Sequence, residues 1–443
     1  MGLVTKLISF WLITQLFFVG PAGPSTFAFL DKVRIDRIVF VCIITWFIIL
    51  VITRHIILPK ITAIEWFMFF FIVVASTSLI LSGANNDISD GKNKWLNAII
   101  NISYYPFTTF FIMKSLEYTK ERANFILGVL CLIGIYLVMS SFFEHYRIDQ
   151  LIWPKDIVNP SKGTHFGRSR GPFLDAVAMG RILTVCFLCF VFMTAQTGGI
   201  KKLILTIFSL LTVAAIYFTQ TRGPWIGFGF VLILLFFSRT TMHKFSVVLV
   251  SLIVIIALFG TTKEFSLSNG TLFSERQNTV VDREISYLTT IKMIVDHPIL
   301  GIGFGMFNQE WDKYYHGNKN EDFGGFDGSH NTFLTMICEL GFVGFFIYLT
   351  MFLLLLRMCY RTYKSLDENQ SFEKNLCLIT IALAFMYVIT GSVSDLRWSL
   401  MANNLIYMFF GIVASITTHF ESMILDNNLD EIVAEEETDE QCI

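Results

Sequence analysis

The sequence predicts an all-α fold: a polytopic membrane helical bundle of about twelve transmembrane helices, with one large loop containing short helices. Three observations predict it. Of the 443 residues, 54% are hydrophobic and 15% charged, and the mean hydropathy is +0.61. Several apolar runs reach the roughly 17–25 residues that cross about 30 Å of hydrocarbon as helix. The runs are also continuous, whereas a transmembrane barrel would show alternating segments of about ten residues.

In order, the expected spans are 7–22, 38–53, 64–82, 95–113, 123–141, 173–195, 203–219, 224–238, 244–260, 331–356, 376–393 and 400–419. The first follows Lys6 and looks like a signal peptide. No small-residue cleavage site follows it, and it leads into further spans, so it is expected to be retained. The whole chain, 1–443, then forms one integral membrane domain.

Orientation is read from Lys and Arg in the short connections. With the N-terminus inside, the inner connections hold fourteen, including Lys6, Arg54, Lys120, Lys201 and Arg357, against seven outside. The positive-inside bias therefore predicts both termini inside. Three polar features then share the outer face: the loop 142–172, the short turn at Arg222, and the long loop 261–330.

The long loop carries its own pattern. Ile285, Leu288, Ile291, Ile294 and Val295 recur at helical spacing. Asp282 suits an N-cap and Pro298 stops the run. Such a helix would lie at the membrane interface or on top of the bundle. Glycines 301, 303 and 305 then allow a tight backbone path back towards the membrane. The end of the chain, 421–443, is acidic and is expected to be a solvated, unstructured tail on the inner side.

Composition also excludes. The eight cysteines lie mostly in apolar runs and none falls between Thr261 and Ser329, so a disulfide framework is not expected. Cys186 and Cys189 are separated by two residues within apolar helix and read as core. No phosphate-binding glycine loop, dinucleotide fingerprint or zinc-spaced histidine pair appears, so no metal and no cofactor is expected. A net charge of −2 gives no sign of a nucleic-acid partner; membrane lipid is the expected surrounding.

Candidate functional residues sit at polar–apolar boundaries. Arg222, in Thr221-Arg222-Gly223-Pro224, stands between two apolar runs on a turn fixed by glycine and proline. Arginine so near hydrocarbon is costly unless it faces a cavity or partner. Arg168 and Arg170, among glycines and Pro172, form a compact cationic patch, and arginine forks suit diphosphate oxygens. Arg181 is expected to pair with Asp175 or with another helix. Arg276 and Arg283 flank the start of the loop helix, where Arg283 beside the helix's positive end would welcome an anion. His330 with Asn331 opens a transmembrane helix after a glycine-rich run, and imidazole chemistry suits removing a proton from a hydroxyl. Glu339, nine residues on, faces away from His330 on a regular helix. With Leu340, Gly341 and Gly344 it reads as a close helix-packing site holding a buried acid.

Taken in order, Asp296-His297-Pro298-Ile299-Leu300-Gly301-Ile302-Gly303-Phe304-Gly305, then Ser329-His330-Asn331-Thr332-Phe333, then Glu339-Leu340-Gly341-Phe342-Val343-Gly344, resemble the O-antigen ligase / O-antigen polymerase superfamily. The Thr221-Arg222-Gly223 turn and Gly171-Pro172-Phe173 also fit. The resemblance implies a bacterial inner-membrane glycosyltransferase, independent of metal, with a large periplasmic loop. It would move a glycan from an undecaprenyl-diphosphate-linked donor to a glycan or lipid-linked acceptor. It would give Arg222 and Arg283 the diphosphate, His330 the role of base on the acceptor hydroxyl, and Arg168 or Arg170 a supporting part. A chain-length regulator protein is a further partner it would imply.

Polymerase and ligase share this architecture. Ligases often end a glycine-and-histidine pattern in Thr-His where this chain has Phe345-Phe346, which favours polymerisation of surface-polysaccharide repeat units over attachment to lipid A core or protein. Two other classes fit a helical bundle. A transporter or flippase would place polar residues at mid-depth on broken helices, whereas most charges here cluster at the outer rim. A cell-wall polymerase would have about ten spans and a loop acid with no obvious counterpart.

Overall fold

A computed structural model describes residues 2–18, 35–82, 94–238, 271–315 and 328–440. Among these residues every regular element is a helix. They are α1 (Leu3–Phe18), α2 (Ile35–Ile52), α3 (Ala63–Ser82), α4 (Lys94–Ile99), α5 (Tyr105–Ser115), α6 (Lys120–His145) and α7 (Ala176–Gln196). There follow α8 (Gly199–Phe218), α9 (Arg222–Phe237), α10 (Thr271–Asp296), α11 (Phe307–Tyr314), α12 (Thr332–Ser365), α13 (Ser371–Gly391) and α14 (Leu400–Glu440).

Among the described residues eight helices are long and apolar enough to cross a membrane, and α1 and α9 are shorter apolar rods. Each expected span coincides with a helix except 244–260, which lies outside the described residues. The expected figure of about twelve therefore resolves into eight clear spans, two short ones and the interrupted rod α4–α5.

That interruption is a π-helical turn, Ile100–Tyr104. A π turn displaces backbone carbonyls from the α-helical ladder. Here the fully buried Asn403 of α14 takes up the carbonyl of Asn101 at 2.9 Å. The same amide also holds the Leu396 carbonyl at 2.9 Å, so α4 is tied to the turn that follows α13.

The sequence sorts helices by depth. α7 is apolar on every side, and Val185 to Phe192 are all buried, which places it at the centre. α2, α3 and α8 instead leave large apolar side chains such as Ile38, Phe69, Ile80 and Ile207 exposed, as lipid-facing helices do. Cys186 and Cys189 are buried in α7, where Gly134 of α6 leaves room for the Cys186 Cβ.

Polar contacts define two ends of the bundle. At one end Lys114 pairs with Glu65, and Tyr118 donates to Glu373, which also faces Lys120 at 3.4 Å. At the other, the connections around 142–172, 219–222, 297–306, 328–331 and 392–399 meet.

At this second end the structure departs from the expected close helix packing at Gly341. α12 is broken there: Gly341 has φ 64° and ψ −175°. The turn after α10 fills the break. Ile302 and Gly303 donate backbone N–H groups to the carbonyls of Cys338 (2.9 Å) and Glu339 (3.0 Å). In return Phe342 donates to Pro298 at 2.8 Å and Val343 to Ile299 at 3.3 Å. Backbone groups freed inside a span must find partners within the protein, and this turn supplies them. A Cβ on Gly341 would overlap the Ile299 carbonyl, and one on Gly301 the Glu339 backbone. Gly341→Ala, with positive φ and this overlap, is expected to cost more than about 2 kcal/mol. A thermal melt of the purified protein within a degree or two of wild type would refute this.

Two further expectations are corrected. α10 starts at Thr271 rather than Asp282, because 271–281 contain no proline or glycine and continue the same helix. The acidic tail is not unstructured: α14 runs on through Glu440, with nothing after Gly411 to stop a helix.

Candidate functional site

His330 stands immediately before α12, exposed, in a left-handed conformation with φ 57°. The next residue explains the turn. Asn331 is the N-cap of α12, its Oδ1 accepting from Phe333 (3.0 Å) and Leu334 (3.1 Å). That carbonyl is therefore committed to the helix, which leaves the Asn331 amide nitrogen as the group that can serve a substrate. Ser329 is buried and locked to Thr335 through its backbone N–H at 2.9 Å and its hydroxyl at 2.8 Å. The imidazole thus projects from a backbone fixed on both sides.

Thr332 links this corner to the turn after α13. Its hydroxyl donates to the Ser394 carbonyl and accepts from the Leu396 N–H, both at 2.8 Å. The neighbouring Val393 packs against Gly223, where a Cβ would meet its methyl at 2.6 Å. Arg222 and His330 are thereby brought to one corner through two successive residues, Val393 and Ser394.

Arg222 is the first residue of α9 and is exposed; among the described residues no carboxylate pairs with it. The Thr221 hydroxyl makes no cap, being bonded to Thr219 at 2.9 Å, so the first N–H groups of α9 remain open. Pro224 sits on Gly180 of α7, and the Trp225 indole donates to the Ile216 carbonyl at 2.9 Å. The turn is rigid and points a cation and two amides outward.

The loop 142–172 packs beside this turn, with the Ser169 N–H on the Phe218 carbonyl at 3.1 Å and His145 stacked on Phe218 at 3.7 Å. Within it the two expected arginines part company. Arg170 is 1% exposed, and its guanidinium donates to the carbonyls of Ile157, Asn159, Lys162 and Thr164. Its backbone N–H and that of Gly171 bind the Glu144 carboxylate at 3.0 and 2.8 Å. A planar fork with five donors suits four converging carbonyls, so Arg170 shapes the loop and has no free edge for a diphosphate. Arg168 is half-buried two residues earlier. Arg147, not singled out from sequence, lies over one side of the Phe166 ring at 5.8 Å, with Arg170 also on that ring at 4.9 Å.

Asp175 caps α7 through the N–H groups of Val177 and Ala178 and meets His165 at 3.1 Å. Burial pushes its carboxyl up, but His165, Arg181 and the capped amides outweigh this and hold it below the usual carboxylate range. Arg181 forms no pair with it: among the described residues Arg181 has no ion pair, contrary to expectation.

Arg283 is exposed but lies in the interior of α10, about 18 Å along the helix from Thr271, so no helix terminus acts on it. No hydrogen bond or ion pair joins it to His330 or Arg222 among the described residues. Arg276 falls in the first part of α10.

One residue that the sequence reading counted only as loop charge turns out to organise the corner. Arg397 is 2% exposed; its Nη2 binds Asp395 at 2.6 Å and its Nη1 binds Glu339 at 2.5 Å. The rings of Trp95 and Phe304 flank it at 5.5 and 5.7 Å. A Cβ on Gly328 would meet its Nη2 at 2.7 Å. Burial disfavours the cation, but the Asp395 and Glu339 charges prevail and raise its pKa above the ordinary arginine value. Glu339 therefore reaches the His330 corner through Arg397 rather than through its own helix. The signal available in sequence was an acid and a base, Asp395 and Arg397, inside a very short connection between apolar spans.

Fold and site together define a polytopic helical membrane protein with a cation-bearing corner at one end of its bundle. Residues 207–349, about a third of the chain, match the family model described as O-antigen ligase, so this stretch is similar to that family. The match spans α8 to the middle of α12 and so contains Arg222, Arg283 and His330. The match supports, in broad terms, a glycosyltransferase of the ligase or polymerase type and gives the transporter and cell-wall polymerase readings no support. No curated protein matches the chain.

Proposed function

We propose that the protein transfers a glycan from undecaprenyl diphosphate to an acceptor hydroxyl on the periplasmic face of the bacterial inner membrane, joining repeat units of a surface polysaccharide. The observation that carries this reading is that Gly223, next to Arg222, and Thr332, two residues after His330, pack on the successive residues Val393 and Ser394.

Arg222 and the open amides of α9 receive diphosphate oxygens, where a fixed cation and N–H groups act most strongly on charge that develops in the transition state. His330 removes the proton of the acceptor hydroxyl as its oxygen attacks the anomeric carbon. The bond from that carbon to the diphosphate breaks, its electron pair leaves on the diphosphate, and the configuration inverts. Arg168 supports the same end, and Arg283 and Arg276 of α10 are assigned to the same diphosphate. Arginines neutralise the leaving group, so the reading needs no metal and no cofactor.

Polymerisation is preferred to ligation because Phe345 and Phe346 replace the Thr-His of the ligase pattern; Phe346 is 54% exposed on the flank of α12. Electrophoresis of surface polysaccharide from a deletion strain tests this. Product one repeat unit long is expected. Accumulated long lipid-linked chains would assign a ligase instead, and an unchanged ladder would reject both.

A further inference from the structure

Arg181 is 2% exposed, and neither its Nε nor its Nη1 has a hydrogen-bond partner. The carboxylates whose charge it feels, Asp175 and Asp395, are both committed elsewhere, one to the α7 cap and His165, the other to Arg397. The guanidinium instead lines a small cavity with Tyr387, Thr390, Met386, Val185 and Leu405. The two hydroxyls there already donate, Tyr387 to Asn403 at 2.8 Å and Thr390 to the Met386 carbonyl at 2.9 Å. The space admits roughly one oxygen-sized group.

Position connects this cavity with the corner above. Arg181 follows Gly180, which packs on Pro224 two residues after Arg222. It lies about 9 Å below the α7 cap, and helical side chains lean towards the N-terminus of their helix, here the Arg222 end. Thr390, on the opposite wall, is one turn below Val393.

A buried guanidinium without an acceptor is costly to the fold, whereas the same group is an efficient binder of an arriving oxyanion. We propose that Arg181 forms a buried oxyanion subsite beneath the Arg222–His330 corner, taking one phosphate-type oxygen of a diphosphate seated there. The inference rests on the diphosphate reading of that corner. Arg181 touches the ligand and is a binding residue; the anion supplies the acceptor that the fold withholds.

The test uses full-length protein in nanodiscs of neutral phosphatidylcholine, with farnesyl diphosphate and inorganic diphosphate as probes. For Arg181→Met we expect affinity to fall at least about tenfold while the melting temperature holds or rises, because an unsatisfied buried charge is removed. Arg181→Lys, which keeps the charge but not the fork, should lose less. Loss for farnesyl diphosphate alone marks the carrier-linked group as the ligand; loss for both probes marks the diphosphate itself. Binding within twofold of wild type, or a lowered melting temperature with binding intact, overturns the subsite. If Arg222→Ala weakens binding and Arg181→Met does not, only this inference falls. If wild type binds neither probe, the diphosphate reading falls with it.

Discussion

His330→Ala, inserted and folded as wild type, is expected to transfer glycan at least about a hundredfold more slowly, the usual range for loss of a general base. The structure provides a built-in control for folding. His330 holds φ 57°, a conformation that costs a residue with a Cβ about 1 kcal/mol and glycine almost nothing. His330→Gly should therefore melt slightly higher than wild type while being as inactive as His330→Ala. Activity and stability then move in opposite directions, which a purely structural histidine cannot produce. Purified transfer with a defined lipid-linked donor is the measurement, and full activity in either variant would remove His330 from the reaction.

The second large effect is expected at Arg397. Arg397→Met strands two carboxylates, the buried Glu339 at 1% exposure and the partly buried Asp395 beside it. Breaking a buried ion cluster by deleting one member typically costs about 3–5 kcal/mol. The loss should appear as a much lower melting temperature, with transfer falling too, since the cluster ties α4, the turn after α10 and Gly328 into one corner. Replacing the whole cluster, Arg397→Met with Glu339→Met and Asp395→Asn, should recover most of the stability because no charge is then stranded. Equal melting of the single variant and wild type would show that the ion pairs contribute little beyond packing.

Much of the architecture was legible in the chain. The apolar runs set helix positions because a bilayer-spanning helix needs a fixed length, and only 244–260 falls outside the described residues. The stop at Pro298, the turn at Arg222 and the buried acid at Glu339 were also readable. Helix ends were less so: Asp282 is a good cap, yet the helix begins at Thr271 because no proline or glycine between 271 and 281 interrupts it. The three arginines Arg168, Arg170 and Arg181 looked alike in a sequence that shows charge but not where carbonyls converge. Only the folded loop shows that Arg170 is consumed by four of them and Arg181 by none.

The sequence by itself determined an all-helical membrane bundle, the polar positions along it and the motifs that resemble the O-antigen ligase family, since these depend on local composition and spacing. Tertiary structure alone decided that α12 breaks at Gly341 to admit a turn from α10, that Arg397 joins Glu339 to the His330 corner, and that the segments bearing Arg222 and His330 both pack on the turn after α13. These are pairings between segments distant in the chain. Their energies come from desolvated charges and backbone groups that find partners only once the helices have packed.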